Sequence, residues 1–242
     1  MRIVTWNCNG ALRKKHVHLA ALKADICVIQ ECEDPLRTQD HGYVEWAGNH
    51  LWIGENRNKG LGIFVRNDLA IEPLYWSNIY KDHYVKYFLP CLINKDFQLL
   101  GIWAHHNNSP NFGYIGQMWK YLQVNKGNFG KILLAGDLNS NAIWDEWDRW
   151  WNHSDVLREL HELGIESLYH RFFKEGQGKE TNPTFFMNRK QERPYHIDYF
   201  LGSMAFSSRL SGFGIGAKEM WLKMSDHLPL ICDFDEQHNV SA

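Results

Sequence analysis

Residues 131–141 read Lys131-Ile132-Leu133-Leu134-Ala135-Gly136-Asp137-Leu138-Asn139-Ser140-Asn141. Ile132 to Ala135 is a short, continuous apolar run, which is typical of a strand that is buried on both faces. Gly136 then lets the backbone turn sharply before Asp137 and Asn139. Asp and Asn are also the residues that turns and helix N-caps prefer, so the stretch indicates an active site only if other strands end in the same way.

Other strand-like runs do end on polar side chains or contain them. These side chains are Asn7, Asn9, Glu31, His105, Asp198, Asp226 and His227. A single carboxylate at a strand end is usually a solvated residue, but its repetition along the chain favours a shared site. Asp198 differs from the others because it lies inside the largely apolar run 195–201, where an unpaired carboxylate is unfavourable.

If these side chains meet, they form one acidic pocket that contains histidine. Carboxylates and neutral amides suit a hard cation such as Mg²⁺ or Mn²⁺, and such ions assist phosphoryl chemistry by neutralising charge. The five cysteines are odd in number, form no Cys-x-x-Cys pair and lie mostly in or beside apolar runs. They therefore fit reduced core thiols better than a zinc site.

The chain of 242 residues has 44% apolar and 22% charged residues and shows no linker, repeat or low-complexity segment. These features predict one domain over residues 1–242, with a frayed tail at 235–242. The apolar runs are strand-sized and the N-terminus does not resemble a signal peptide, so we expect a soluble, cytoplasmic protein without a membrane span. A net charge of −2 provides no global positive field, so any contact with nucleic acid must come from a local patch.

Four of the eleven tryptophans lie three or four residues apart. They are Trp144, Trp147, Trp150 and Trp151. This spacing predicts a helix with the indoles on one face, and we expect that face to pack in the core rather than to stack on bases.

Five short motifs together carry a family resemblance. In chain order they are Trp6-Asn7, Gln30-Glu31, Gly136-Asp137-Leu138-Asn139, His196-Ile197-Asp198-Tyr199 and Ser225-Asp226-His227. No single motif is decisive, but their order and span resemble the endonuclease/exonuclease/phosphatase superfamily, which includes deoxyribonuclease I and exonuclease III. The resemblance implies a four-layer α/β/β/α sandwich, in which two mixed sheets pack face to face with helices outside, and divalent-metal-dependent cleavage of phosphoester bonds.

The resemblance also implies roles for the metal-binding residues. Glu31 would be the main metal ligand, with Asp226 and Asn9 at the edge of the ion, directly or through water. Asn9 stands where some abasic-site endonucleases of the family have Asp, which removes one negative charge from the metal site.

Further roles follow for the groups around the phosphate. Asp137 would take the proton from the attacking water, and Asn139 and Asn7 would hold this carboxylate and the phosphate in place. His227 would donate to a non-bridging phosphate oxygen, with Asp198 fixing its tautomer and orientation.

Two more histidines match family positions. His105, preferred here to His106, matches a position where the family carries His or Tyr near the phosphate. His196 stands where many members have Arg, so a phosphate contact there is altered or lost.

The resulting prediction is a Mg²⁺- or Mn²⁺-dependent phosphodiesterase, a nuclease that hydrolyses DNA or RNA. The candidate substrate contacts are Arg13, Lys14, Lys15, Lys59, Arg189, Lys190 and Arg193, with Trp46 and Trp52 as candidate stacking groups. Each basic residue taken singly is also what an ordinary solvated surface carries. Two alternatives stay open: a phosphatase or phosphodiesterase of a small molecule such as a nucleotide, inositol phosphate or lipid headgroup, and an inactive binding or scaffold protein.

Overall fold

A computed structural model describes residues 1–66, 68–107, 109 and 111–235. The strands are β1 (Arg2–Asn7), β2 (Ile26–Cys32), β3 (Asn49–Asn56), β4 (Lys59–Val65), β5 (Ile71–Pro73), β6 (Ile79–Tyr80), β7 (His83–Tyr84), β8 (Phe88–Ile93), β9 (Phe97–Trp103), β10 (Ile132–Asp137), β11 (Ile165–Ser167), β12 (Phe185–Phe186), β13 (Pro194–Tyr195), β14 (Asp198–Ser203), β15 (Leu210–Ile215) and β16 (Leu230–Phe234).

Seven short α-helices lie in the described part of the chain. They are α1 (His16–Ala20), α2 (His41–Ala47), α3 (Ile115–Asn125), α4 (His153–Glu162), α5 (Leu168–Phe173), α6 (Met204–Ser207) and α7 (Lys218–Trp221). Single 3-10 turns occupy Leu12–Lys14, Pro35–Arg37, Lys126–Asn128, Ala142–Trp144 and Met187–Arg189.

Two six-stranded mixed sheets form the centre of the molecule. The first has the strand order β15-β16-β1-β2-β4-β3, and the second has the order β11-β14-β10-β9-β8-β5. The central pairs β1/β2 and β9/β10 are parallel, whereas β14 and β16 run antiparallel beside them. The apolar runs recognised in the sequence are therefore the central strands, buried on both faces.

Three hydrophobic clusters separate four layers. The cluster between the sheets contains Val28 and Ile63 of the first sheet and Leu99 and Phe200 of the second. A second cluster joins α3 and α4 to the outer face of the second sheet, and a third joins α2 and Trp221 to the outer face of the first. This arrangement confirms the predicted sandwich of two packed mixed sheets flanked by helices.

One edge of both sheets collects the polar strand ends. The parallel strands finish there, and the antiparallel β14 begins there, so that Asp137 and Asp198 are direct partners in the ladder. Gly136 is required at this point, because a Cβ built on it lies 1.9 Å from the carbonyl oxygen of Ile102, at a φ of +149°. The glycine thus lets β10 pack closely against β9 one residue before Asp137.

The predicted tryptophan-bearing helix is wrong. Only Ala142–Trp144 forms a 3-10 turn, and Trp147 is 95% exposed. The Asn152 side chain bonds the backbone of Glu146 and Arg149, which gives these groups partners outside a helix. Residues 144–151 therefore form an anchored loop, although their tryptophan spacing matches a helical period.

Three further predictions concern the cysteines, the membrane and the tail. All five cysteines are free and buried. Among the described residues, no helix has the length and apolarity that crossing a membrane requires. The predicted frayed tail 235–242 lies, except for residue 235, outside the described residues.

Candidate active site

The polar strand ends meet at one edge of the two sheets, which is the candidate catalytic edge. Asp137 is the most enclosed carboxylate there. Its oxygens accept hydrogen bonds from the Asn7 side chain (3.0 Å), the Asn139 backbone N–H (2.8 Å) and the Asn139 side chain (3.0 Å). Asn139 adopts a φ of 46° and also donates to the carbonyl of Ala104 at 3.1 Å. The carboxylate is thus held by donors on both sheets.

A second buried group consists of His227, Asp198 and Thr184. His227 Nδ1 lies 3.0 Å from Asp198 Oδ2, and the Thr184 hydroxyl donates to the same oxygen at 2.7 Å. The Thr184 hydroxyl in turn accepts the backbone N–H of Asp198 at 3.1 Å. With Nδ1 directed at a carboxylate, His227 presents Nε2 toward Asp137, 3.9 Å from its Oδ2.

Burial and the charges of neighbouring groups shift the pKa values of Asp137 and His227. Complete burial raises the pKa of Asp137, although His227 and the donors from Asn7 and Asn139 act in the opposite direction. Burial alone lowers the pKa of His227, but the carboxylates of Asp198 and Asp137 outweigh this effect and raise it. The pair therefore combines a strengthened base with an imidazole that holds its proton.

Glu31 is positioned by an irregularity in β2. The register with β4 shifts between Gln30 and Cys32, and Glu31 itself has a φ of 62°. Such a β-bulge redirects a side chain. One Glu31 oxygen lies 3.4 Å from the Asn7 amide, and the other lies 2.9 Å from the Lys59 ammonium.

Asn9 and Asp226 are linked to the Glu31 carboxylate indirectly, by hydrogen bonds that pass through Asn7. The Asn9 backbone N–H donates to the Asn7 side-chain oxygen at 3.1 Å, and the Asn9 side chain donates to Asp226 at 3.0 Å. The structure therefore links all three predicted metal ligands to Asn7, which itself contacts Asp137.

Among the described His, Cys, Asp and Glu side chains, one group has ligand atoms that all lie within 4.8 Å of one another: Asp137, Asp198 and His227. Their oxygens and Nδ1 already bond one another or Thr184, Asn7 and Asn139. The more open side of the site is at Glu31, whose side chain is 17% exposed. Its carboxylate, the Asp226 carboxylate and the Asn9 amide oxygen are the donor types that a hard divalent cation prefers.

His105 also faces the catalytic edge. Its Nδ1 accepts the backbone N–H of Asn107 at 3.0 Å, which leaves Nε2 as the donor of the neutral ring. Burial, with Lys59 nearby, lowers the pKa of His105 and favours this neutral form. His106 is exposed, and its ring meets the Tyr114 ring edge to face with the centres 5.5 Å apart.

His196 lies away from the catalytic groups. Its ring is buried, its Nδ1 donates to the Asn182 carbonyl at 2.8 Å, and it packs 4.3 Å from the Tyr169 ring centre. Where family members carry Arg, this chain therefore has a packing residue, which agrees with the expected loss of a phosphate contact.

The predicted basic contacts occupy different surroundings. Arg13 pairs with Glu33, whereas the Lys15 ammonium bonds the carbonyls of Cys8 and Gly10 at 2.7 Å and thereby supports the loop after β1. Lys14 is exposed. Arg189 and Arg193 are also exposed, with weak contacts to the Met224 carbonyl and the Met187 sulfur.

Neither predicted stacking group is a free aromatic surface. Trp46 packs against Phe64 with ring centres 5.0 Å apart and belongs to the cluster under α2. The Trp52 indole donates to the Cys32 carbonyl at 3.2 Å and covers Gly54 and Gly60. Both rings therefore pack against the protein with part of their surface, and stacking of either ring on a base stays a prediction.

Two supporting residues were not recognised in the sequence. Thr184 holds Asp198, but a threonine in a short strand carries no distinctive pattern. The Ser225 hydroxyl donates to the Asn7 carbonyl at 2.7 Å and accepts the His227 backbone N–H at 3.0 Å. Ser225 lies in a recognised motif, so its position next to Asp226 was the available signal.

A cavity of about 280 Å³ opens beside Asn139. Its lining includes Tyr114, Trp144, Arg149 and the buried His153. Trp144 also lies 5.0 Å from the Tyr195 ring centre. An aromatic surface thus adjoins the catalytic carboxylate and its supporting amide.

The sequence model of the endonuclease/exonuclease/phosphatase family matches residues 4–227. The chain therefore belongs to this family and is a phosphoester hydrolase of the nuclease and phosphatase type, and the members of the family depend on divalent metal ions. No curated protein sequence matches the chain significantly.

Solved structures share the fold at low sequence identity. A 3′ phosphatase, NExo, from Neisseria, bound to a product DNA hairpin, has a TM-score of 0.73 and 19% identity, covering 98% of this chain and 100% of its own. An AP endonuclease from Archaeoglobus fulgidus has a TM-score of 0.69 and 19% identity, with the same coverage. The endonuclease domain of TRAS1, a telomere-specific non-LTR retrotransposon, has a TM-score of 0.63 and 19% identity, covering 98% of this chain and 99% of its own.

Proposed function

We propose that this protein is a Mg²⁺- or Mn²⁺-dependent phosphodiesterase that cleaves nucleic acid by attack of an activated water. The observation that carries the proposal is the buried array from Asp198 through His227 to Asp137, which lies beside the partly exposed carboxylate of Glu31. A base, a proton donor and an oxygen ligand thus lie at one edge of the two sheets.

Asp137 acts as the general base. Asn7 and Asn139 fix its orientation, and its raised pKa makes it a better proton acceptor than a solvated carboxylate. His227 retains its proton and donates from Nε2 to a non-bridging phosphate oxygen, where charge grows in the transition state. Asp198 holds the ring and stabilises its cationic form.

Glu31 would hold the divalent ion, with Asp226 and Asn9 contributing at its edge. When bound, such an ion neutralises phosphate charge and polarises the phosphorus–oxygen bond. Neutral His105 supplies a further N–H donor at the same edge.

The nuclease assignment rests on the kinds of relative that share the family and the fold. One is a 3′ phosphatase bound to a product DNA hairpin, and another is an AP endonuclease. The cavity beside Asn139, lined by Tyr114, Trp144 and Arg149, offers stacking and cationic contacts to a nucleotide.

The direct test is incubation with labelled single-stranded, double-stranded, abasic and 3′-phosphorylated DNA, and with RNA, in Mg²⁺, Mn²⁺ or chelator. We expect metal-dependent cleavage or dephosphorylation of at least one nucleic acid. Failure on every form would defeat the nuclease assignment.

A second candidate is a phosphatase of a small phosphoester. It is favoured because several basic side chains are already neutralised by carboxylates and so offer less positive charge to a polyanion. The pairs are Arg13–Glu33, Arg37–Asp34 and Lys86–Glu55. Metal-dependent release of phosphate from nucleotides or inositol phosphates, without action on polymers, would support this candidate.

A further inference from the structure

Lys59 occupies an unusual position for a lysine. It begins β4, directly beside Gly60, which pairs with Cys32 across the bulge in β2. The bulge directs the Glu31 carboxylate to this point, and Lys59 Nζ lies 2.9 Å from Glu31 Oε2. The bulge thus places the Glu31 carboxylate, and the start of β4 places the Lys59 ammonium beside it.

The Lys59 ammonium belongs to the catalytic edge. It lies 5.4 Å from the ring centre of Trp103, the residue that pairs with Asp137 in the ladder. Its charge also helps to lower the pKa of His105. Lys59 is half exposed, with 49% of its side chain accessible, so the ammonium borders both protein and solvent.

The partner of Lys59 sets it apart from the other basic residues. Lys86 pairs with Glu55, and Arg66 pairs with Asp25, but neither acid belongs to the proposed metal-binding set. Within the described ranges, Lys59–Glu31 is the ion pair that includes a proposed metal ligand.

One Glu31 oxygen faces Lys59 and the other faces the Asn7 amide. A divalent cation that binds Glu31 must share the carboxylate with an ammonium, and two cations on one carboxylate repel each other. The ammonium also neutralises part of the charge that attracts the ion.

We propose that Lys59 is a positioning residue that lowers the affinity of the centre for divalent cations by sharing the Glu31 carboxylate. The proposal rests on the proposed function, because it assigns Glu31 to the metal. It implies an ion that is loosely held and readily exchanged, with Lys59 supplying a permanent positive charge next to it.

The test is calorimetric titration of the purified full chain with Mn²⁺, without substrate. Lys59→Met keeps the length of the side chain and its contact with Trp103 but removes the charge, and we expect about tenfold tighter Mn²⁺ binding, equivalent to about 1.4 kcal/mol. Lys59→Arg should retain the affinity of the wild type. Lys86→Met, which removes another lysine paired with a carboxylate, is the matched control and should leave it unchanged.

Each outcome decides between the proposals. Unchanged or weaker Mn²⁺ binding by folded Lys59→Met, checked by circular dichroism, overturns the role of Lys59 and leaves the proposed function standing. If only Lys59→Met binds Mn²⁺ measurably, Lys59 lowers the affinity by more than the expected tenfold, which supports the inference. No binding by any variant overturns both the inference and the metal-dependent function.

Discussion

Asp137 and Glu31 both belong to central strands of the sandwich, but their surroundings differ. Asp137 is completely buried and receives three hydrogen bonds, and the adjoining Asp198 and His227 are buried with it. Glu31 is partly exposed and shares its charge with one lysine. The comparison separates two environments: in the closed half burial and neighbouring charges shift the pKa values of Asp137 and His227, and in the open half the Glu31 carboxylate is accessible to solvent.

The closed half should be the more sensitive to substitution. Asp137→Asn keeps the shape of the side chain but removes the base, so we expect hydrolysis to fall at least about 10³-fold. Steady-state kinetics with the best substrate would measure this loss. Asp96→Asn, at a surface carboxylate paired with Lys131, is the control and should retain activity; a Asp137→Asn variant with a tenth of normal activity would remove the assignment.

His227 and Asp198 should behave as one unit. His227→Ala removes the proton donor, and Asp198→Ala removes the group that orients it, so each should reduce kcat by about 10²- to 10³-fold. The double variant should lose little more than either single variant. A multiplicative loss in the double variant would show that the two residues act independently.

In the open half, Glu31→Gln should lower the rate of hydrolysis by about 10²-fold at low metal concentration, because the neutral amide is a weaker ligand for a hard cation. Added Mn²⁺ should recover part of the activity, as a metal titration of the rate would show. The same titration of Asp137→Asn should produce no recovery. If added Mn²⁺ restores activity in both variants, or in neither, Glu31 and Asp137 do not differ in their dependence on metal, and the comparison fails.

Thr184 tests how far the closed half extends. Thr184→Val removes the hydroxyl that donates to Asp198 and should lower kcat by about tenfold, which corresponds to one hydrogen bond to a charged group. Thr184→Ser restores the hydroxyl and serves as the control. Full activity in Thr184→Val would show that the hydroxyl bond to Asp198 does not support catalysis.

The smallest effect concerns pH. Activity requires deprotonated Asp137, whose pKa is raised by burial, so the acidic limb of the rate profile should lie above the range of ordinary carboxylates. It also requires protonated His227, whose pKa burial lowers but Asp198 and Asp137 raise overall. Asp198→Asn should therefore move the alkaline limb to lower pH; an unmoved limb would exclude His227 as its origin.

The sandwich was predicted from the family resemblance of the five motifs, whereas the candidate site was predicted from the polar side chains at strand ends. Buried apolar runs followed by Asn7, Glu31 and Asp137 are visible without coordinates, and strand pairing brings them together. The largely apolar run around Asp198 predicted that this carboxylate has a partner, and the family resemblance named His227, whose Nδ1 lies 3.0 Å from Asp198 Oδ2.

Features that depend on side-chain direction were less predictable. The contact between Lys59 and Glu31 depends on the β-bulge between Gln30 and Cys32, and no residue pattern in the sequence predicts this bulge. The tryptophan spacing predicted a helix, but Asn152 and Asp145 bond the local backbone instead. Local hydrogen bonds from Asn and Asp thus prevailed over a helical period.

The exposed Trp147 makes the tryptophan loop optically distinct. Buried indoles such as Trp6 are shielded from water and from dissolved quenchers, whereas Trp147 is almost fully accessible only eight residues after Asn139. Acrylamide should therefore quench a red-shifted part of the emission first. The chain thus carries an exposed indole in the loop that follows Asn139, and the state of this loop can be followed by its emission without attaching a dye.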